Sequence, residues 1–418
     1  MPSLGCVADD FTGASDAASF LAKGGMPVLL TNGVPEQEPR ETEAVVIALK
    51  SRTQETRAAV ADSLAALKWL EARGAKQFYI KYCSTFDSTP KGNIGPIADA
   101  AMEYLGARFT VLCPGLPANG RTVTDGRLYV NGVPLDESHM KNHPLTPMWD
   151  SRIAELMRPQ SRYECMELHK EDMALSDGEI YAKIEKFAEG REHFYVIPDH
   201  ETEADGERIA ELFGGLTLLT GGSGILEPLA KRRSRDGHYA PSHIHGTEGR
   251  AILLAGSCSK ATLAQIKYFI DNGGRAYKVN PVAMLRGEDD IENIWRFAAE
   301  DEETPTLIYS SDTSDNVKEA QAFGQEAVAS LLENTMAELA KRALEAGYKR
   351  IIVAGGETSG AVTRGLGFSA FHIGRSVAPG VPVMTPYGVP DVRLVLKSGN
   401  FGQEDFFERA LKMTGKEE

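Results

Sequence analysis

Short apolar runs alternate with longer amphipathic stretches through the first half of the chain. The runs at 4–8, 28–31, 44–49, 78–82, 109–113, 194–197 and 216–219 read as buried strands. Between them, residues 57–73 place Ala58, Val60, Leu64, Leu67 and Leu70 at helical spacing, and 179–189 is another helix-period stretch. Such alternation predicts a mostly parallel sheet with helices on its faces. Residues 120–135 depart from it, because Asp125-Gly126 and Asn131-Gly132 turns among alternating apolar positions predict an inserted β-hairpin.

Around residues 230–250 the periodicity breaks into a polar stretch holding His, Pro, Gly and five basic residues. This is the best domain boundary in the chain, and its like charges read as a solvated linker in preference to a phosphate site. Beyond it the alternation resumes, with strands at 252–255, 306–309 and 351–354 and a long helical region across 316–346. The expected architecture is therefore α/β in two domains, each a mostly parallel sheet flanked by helices, the hairpin lying in the first. The boundaries are an N-terminal domain over 1–232, a linker over 233–249 and a C-terminal domain over 250–418. A length of 418 residues agrees, since it exceeds what one hydrophobic core serves.

Charge narrows the function classes. The chain has 45 Lys and Arg against 59 Asp and Glu, a net charge of −14, which argues against a nucleic-acid or membrane-surface binder. A small-molecule substrate fits better, and an anionic one needs positive charge gathered locally. The five cysteines form no C-x-x-C pair and no Cys/His cluster of zinc spacing, so they read as buried thiols of a reducing compartment. With no apolar stretch of membrane-spanning length, the expectation is a cytoplasmic protein, a homo-oligomer being left open.

Candidate chemistry in the first half lies after strands. Asp9 and Asp10 end the first apolar run, with Asp16 six residues on. Aspartates there either cap a helix or place carboxylates at the C-terminal end of a strand, where open α/β sheets bind ligands. Residues 81–93 crowd together Lys81, Ser84, Asp87, Ser88, Thr89, Lys91 and Asn93. As a site, the cations and hydroxyls would donate to a carboxylate while Asp87 accepts from sugar hydroxyls; the alternative is a solvated loop. Arg121 and Arg127 add groups able to hold a carboxylate by two hydrogen bonds. Residues 198–205, acidic after a strand, either cap a helix or reach this site. His139 and His143 stand four apart, but Pro144 argues against the helix that metal ligation would need, and no metal ligand is evident.

In the second half, the segments 255–262, 354–362 and 396–406 each run from an apolar strand through small residues towards a helix. Glycines permit close backbone approach and a helix N-terminus offers free N–H groups, so phosphate is the natural guest. Neither G-x-x-x-x-G-K-[ST] nor a dinucleotide G-x-G-x-x-G is present, so a nucleotide would bind through a different fold. Glu357 either caps its helix, binds ribose or takes a Mg²⁺ water.

Taken together, "ADDFTGASDAA", "KYCSTFDSTPKGNIGP", "GRTVTDGRLYVNGVPL", "AGSCSKAT", "AGGETSGAV" and "LKSGNFGQEDFF" resemble the four-carbon acid sugar kinase family over nearly the whole chain. The family more typically reads K-x-D-S-T-x-R-G-N in the second of these. Here Tyr-Cys-Ser-Thr-Phe separates Lys81 from Asp87 and Lys91 takes the Arg position, a variant associated with 3-oxo-tetronate as acceptor. The resemblance implies an ATP- and Mg²⁺-dependent kinase that phosphorylates the terminal C4 hydroxyl in a cleft between the domains. It implies Lys81, Lys91 and Arg121 on the substrate carboxylate, and Asp9, Asp10, Asp87, Ser88 and Thr89 around the polyol, with Asp10 as catalytic base. For ATP it implies Ser257, Gly355, Gly356, Glu357, Thr358, Ser359, Gly399 and Asn400. Threonate or erythronate as acceptor is the alternative within the class, and a non-catalytic sugar-acid sensor the alternative outside it.

Overall fold

A computed structural model of the chain describes residues 2–35, 42–142, 146–236, 246–301, 303–312 and 324–416. The chain divides into two units, Met1–Ser242 and His243–Glu418.

In the first unit, β1 (Leu4–Ala8), β2 (Val28–Asn32), β3 (Ala44–Ala48), β4 (Gln77–Lys81) and β5 (Phe109–Cys113) are followed by a small antiparallel sheet of β6 (Arg121–Thr124), β7 (Arg127–Val130) and β8 (Val133–Pro134). Then come β9 (Cys165–Leu168), β10 (Phe194–Pro198) and β11 (Leu218–Gly221). The larger sheet runs β2-β3-β1-β4-β11-β5-β10-β9, every neighbouring pair parallel. Its strands are apolar runs because both faces are covered: β1 and β3 are buried at every position. Helices α1 (Phe11–Lys23), α2 (Thr56–Ala72) and α3 (Ile94–Leu105) supply part of that cover, Leu67 and Leu70 of α2 and Ile97 and Met102 of α3 packing with Val7, Val45 and Phe78. From β1 the chain passes to β2 on one side. From β3 it passes through α2 to β4 on the other, so the strand order reverses at the C-terminal end of β1.

The second unit repeats the device. Strands β12 (Ala251–Ala255), β13 (Arg275–Lys278), β14 (Thr306–Tyr309), β15 (Arg350–Ala354), β16 (Ala370–Ala378), β17 (Val381–Pro386) and β18 (Arg393–Lys397) lie in the order β13-β14-β12-β15-β18-β17-β16. Pairing is parallel up to β18 and antiparallel for β17 with both neighbours. Leu253, Leu307, Ile352, Val395, Phe406 and Phe407 form its core. The order reverses at β12, which lies between β14 and β15.

The mostly parallel α/β architecture and the inserted hairpin are as expected, the hairpin gaining a short third strand. Strands β9, β13, β16 and β17 lie outside those the sequence predicts, whereas β18 is the apolar strand expected before the 396–406 turn. Of the expected linker, the helix Leu226–Asp236 takes up the first residues, and 237–245 lie outside the described residues. The helix Gln325–Glu345 occupies most of the predicted 316–346 region, whose residues 316–323 are likewise outside. His139 begins a short 3-10 turn, His139–Asn142, and His143 is not described. Thr202 and Asp205 form a capping box for the helix Glu203–Phe213, which is the capping role considered for 198–205. No described helix is long and apolar enough to cross a membrane.

Candidate active site

Register brings the ends of three strands together in the first unit, Ala8 pairing with Ala48 on one side and Lys81 on the other. Each strand then releases charge: Asp9 and Asp10 after β1, Arg52 after β3, Lys81 and Asp87 from β4 onward. Arg52 ties the carboxylates together. Its Nε and Nη2 donate to the two oxygens of Asp9 at 2.8 and 3.0 Å. Nη2 also lies 2.7 Å from Asp10 Oδ2, and Nη1 lies 3.7 Å from Asp87 Oδ2. A planar guanidinium presents five N–H donors in a fixed fork, so it can engage one carboxylate through two hydrogen bonds while its other edges face further carboxylates.

Asp10 has a second task as N-cap of α1, where its Oδ1 accepts from the Gly13 N–H and, at 3.3 Å, from the Thr12 hydroxyl. Capping and site chemistry therefore fall on one carboxylate. Lys81 is buried; its Nζ donates to the Tyr82 carbonyl at 2.8 Å and stands 4.0 Å from Asp16 Oδ2, which also accepts from the Ser223 hydroxyl. Arg121 is near enough for its charge to be felt at Asp16, and its buried Nε makes no hydrogen bond among the described residues.

The turn after β4 is strained where it delivers Asp87. Phe86 is fully buried with φ +49, a left-handed conformation costly for a residue with a side chain, and packs edge-on to Tyr82 at 5.5 Å between ring centroids. Asp87 Oδ1 accepts from the Thr85 hydroxyl at 2.6 Å. The Ser88 hydroxyl donates to Gln160 Oε1 at 2.7 Å, and Asn93 Nδ2 donates to the carbonyls of Ser51 and Gln54 at 2.7 and 2.8 Å, fixing the loop that carries Arg52. Asp9, Arg52, Lys81, Asp87, Ser88 and Asn93 line a common cavity. Thr89 accepts the Lys91 N–H at 3.3 Å, and the Lys91 side chain is exposed, apart from the cavity lining.

Burial dominates the electrostatics. It pushes the carboxyls of Asp9 and Asp16 up, against the pull of Arg52 on the first and Lys81 on the second. Although burial also works against the charge of Arg52, Asp9 and Asp10 hold it protonated above its ordinary value. The result is a recess offering fixed carboxylate acceptors beside buried cationic donors, the chemistry a hydroxylated acid requires.

In the second unit, three small-residue turns converge where the strand order reverses. A Cβ added at Gly256 would lie 2.2 Å from Thr358 Oγ1, and one at Gly399 would lie 2.3 Å from Ser257 Oγ. Gly355 has φ +136, and a Cβ there would meet Thr358 Oγ1 at 3.0 Å and Ser257 N at 3.1 Å. Ser257, Gly355, Thr358 and Gly399 are thus brought together. Gly356 begins the helix Gly356–Leu366, and a Cβ there would meet nothing within 4 Å. Glu357 and Asn400 are exposed beside the turns, Glu357 without a capping role because the cap residue is Gly355. Ser359 differs from its expected place: its hydroxyl is wholly buried. These turns suit a polyphosphate, since glycine lets the backbone approach and the first turn of the helix presents free N–H groups.

Arg52 is the principal residue that sequence reasoning missed. The available signal was a pair of basic residues, Lys50 and Arg52, just past the third apolar run, and nothing in the sequence alone singles out the second. Gln160 was also missed, because it reaches Ser88 from 72 residues away. Among the described residues, Asp125, His169 and Asp199 could together hold a metal ion, their ligand atoms lying within 4.8 Å of one another. The Asp199 carboxylate is already engaged by the N–H groups of Asp125 and Gly126 at 3.0 Å and Lys170 at 3.1 Å, so its evident work is holding the β6–β7 turn.

Comparison with known proteins matches this division. Residues 4–229 match the family described as "Sugar-binding N-terminal domain" and residues 252–407 that described as "Nucleotide-binding C-terminal domain". A 3-oxo-tetronate kinase of Cupriavidus necator is 42% identical over 99% of this chain and 98% of that protein. The crystal structure of a Haemophilus influenzae protein superposes with a TM-score of 0.84 at 40% identity, covering 98% of this chain and all (100%) of that one. One from Salmonella typhimurium LT2, described provisionally as a tRNA synthase, gives a TM-score of 0.91 at 38% identity, covering 97% and 98% of the two chains.

Proposed function

The chain belongs to the family that joins a sugar-binding N-terminal domain to a nucleotide-binding C-terminal domain, and from that premise we propose that it transfers the γ-phosphoryl group of ATP to the C4 hydroxyl of 3-oxo-tetronate. It is a sugar-acid kinase, a phosphotransferase acting on a hydroxyl group. The observation that carries the choice of acceptor is the 42% identity to a 3-oxo-tetronate kinase over 99% of the chain. A tRNA-directed activity is disfavoured by the net charge of −14.

Phosphoryl transfer asks a protein chiefly for positioning and charge neutralisation. In this reading Lys81 and Arg121 hold the substrate carboxylate, and Arg121 contributes a buried N–H that has no protein acceptor among the described residues. Lys91, on the surface, closes over the same carboxylate. Asp9, Asp87, Ser88 and Thr89 orient the polyol. Asp10 is the most open of the three carboxylates around Arg52, its side chain 30% exposed against 11% and 9% for Asp9 and Asp87. It therefore receives the attacking hydroxyl and takes up its proton. The convergent turns at Ser257, Gly355, Gly356, Thr358, Gly399 and Asn400 receive the ATP phosphates, and Ser359 supports them from within the helix. Mg²⁺ would supply charge neutralisation when bound, and Glu357, exposed beside the turns, would hold one of its waters.

The test is ADP release by the purified chain with Mg-ATP and a panel of four-carbon acids, wild type against Asp10→Asn. Turnover on 3-oxo-tetronate well above threonate and erythronate, with kcat in the variant reduced roughly 100-fold or more and acid binding retained, is the expected result. Faster turnover on threonate or erythronate would change the acceptor. No ADP release with any acid would overturn the choice of a four-carbon acceptor.

A further inference from the structure

We propose that Lys397 is a positioning residue of the nucleotide site, holding the 398–402 turn with its backbone N–H groups directed to the ATP phosphates. The inference rests on the reading of the second unit as the ATP site. Lys397 ends β18 and is wholly buried. Its Nζ donates to the carbonyls of Gly399 and Ser398 at 2.9 and 3.2 Å and to Thr262 Oγ1 at 2.9 Å, so each ammonium hydrogen has an acceptor. The Gly399 carbonyl also accepts from the hydroxyls of Ser259 and Thr262 at 2.6 and 2.9 Å. Gln265 Nε2 donates at 3.0 Å to the carbonyls of both Phe401 and Gly402.

The carbonyls of residues 398, 399, 401 and 402 are thus all turned to Lys397 and the helix Lys260–Asp271. In a trans peptide the following N–H points the opposite way, and no peptide here is cis. The N–H groups of Gly399, Asn400 and Gly402 are therefore directed away from that helix, on the side where Asn400 is exposed. Three donors on the Gly399 carbonyl also polarise its peptide, which strengthens the Asn400 N–H as a donor to an anion.

The charge of Lys397 supports the same conclusion. Among the described residues its ammonium has hydroxyl and carbonyl partners and the Phe406 ring at 5.5 Å, and no carboxylate. Burial pulls its pKa down to about 7. A phosphate bound over the turn supplies the missing negative charge and favours the ammonium.

The experiment measures dissociation constants of ATP, ADP and adenosine for the full chain by titration calorimetry, in wild type and Lys397→Met, alongside KM for both substrates. The methionine keeps the length of the buried side chain and removes its donors. Affinity for ATP should fall roughly 10- to 100-fold, as expected for lost hydrogen bonds that involve charge. Adenosine affinity and KM for the acid should stay within about twofold. General collapse of the unit would weaken adenosine equally, and that result, like wild-type ATP affinity in the variant, overturns the inference alone. Wild type that binds none of the three overturns the ATP reading and this inference with it. Thr262→Val, which removes the hydroxyl bridging Lys397 and Gly399, should act in the same direction by a smaller factor. It decides the matter where Lys397→Met does not fold, unchanged ATP affinity again overturning the proposal.

Discussion

At the scale of single residues, Arg52 determines whether the acidic cluster of the first unit can exist. Asp9 is 11% exposed at its side chain and Asp87 9%, and both face the same guanidinium as Asp10. Remove the cation and three carboxylates repel one another in a poorly solvated recess. Breaking a buried pair in this way costs about 3 kcal/mol, so Arg52→Met should lower unfolding stability by that order at pH 7. The sign of its pH dependence follows. Burial already raises the Asp9 carboxyl against the pull of Arg52, and without Arg52 it rises further, so the penalty is full at neutral pH and relieved as pH falls through the raised value. Urea unfolding of wild type and variant at pH 7 and pH 4.5 checks this: the gap should narrow at the lower pH. A gap that stays constant would assign the loss to packing of the arginine stem.

At the scale of elements, the useful contrast lies within one turn. Gly355 has φ +136 and would press a side chain onto Ser257 and Thr358, so its substitution damages the protein itself. Gly356, its neighbour, has ordinary helical geometry and open space around the position of a Cβ. Gly356→Val should therefore unfold within about 1 kcal/mol of wild type, the helix-propensity scale for such a change. It should nevertheless raise KM for ATP at least roughly 10-fold, because its side chain intrudes where only a ligand would be, and leave KM for the acid nearly unchanged. Equal changes in both constants would count against a nucleotide at this turn.

Elements also explain what the sequence disclosed. Parallel strands buried on both faces are apolar runs, and so β1, β3, β5, β12 and β15 were legible from composition alone. Strand β13 is half-buried and carries Arg275 and Lys278, so it never reads as a run. The β16–β17 hairpin carries prolines at 382 and 386, and its register shifts twice, which destroys the period-two signal. Site residues followed the same rule. Those immediately after a visible strand, such as Asp9, Asp10 and Lys81, could be named. Arg52 and Lys397 could not, because their roles depend on which strands become neighbours and on contacts across 43 and 135 residues.

At the scale of the whole molecule, two strand-order reversals provide two crevices at carboxyl strand ends, one in each unit, and their chemistries differ. The first gathers carboxylates and cations, the second glycines and hydroxyls. A ligand that binds only the folded state protects from exchange the amides whose opening it opposes. Hydrogen exchange on the full chain should therefore separate the two. Saturating 3-oxo-tetronate should slow exchange at 9–13, 51–54 and 82–93, where Asp10, Arg52 and the Asp87 turn lie. Mg-ATP should slow it at 255–262, 354–360 and 396–402. At about 100 times the dissociation constant the protection available is about 2.7 kcal/mol, near a 100-fold slowing for amides that exchange by opening of the site. Nucleotide protection of the first set in place of the second would reverse the assignment of the units. Protection of the second set by the acid alone would make the glycine turns a site for the substrate carboxylate, and the phosphate argument built on Gly355, Gly399 and Lys397 would fail with it.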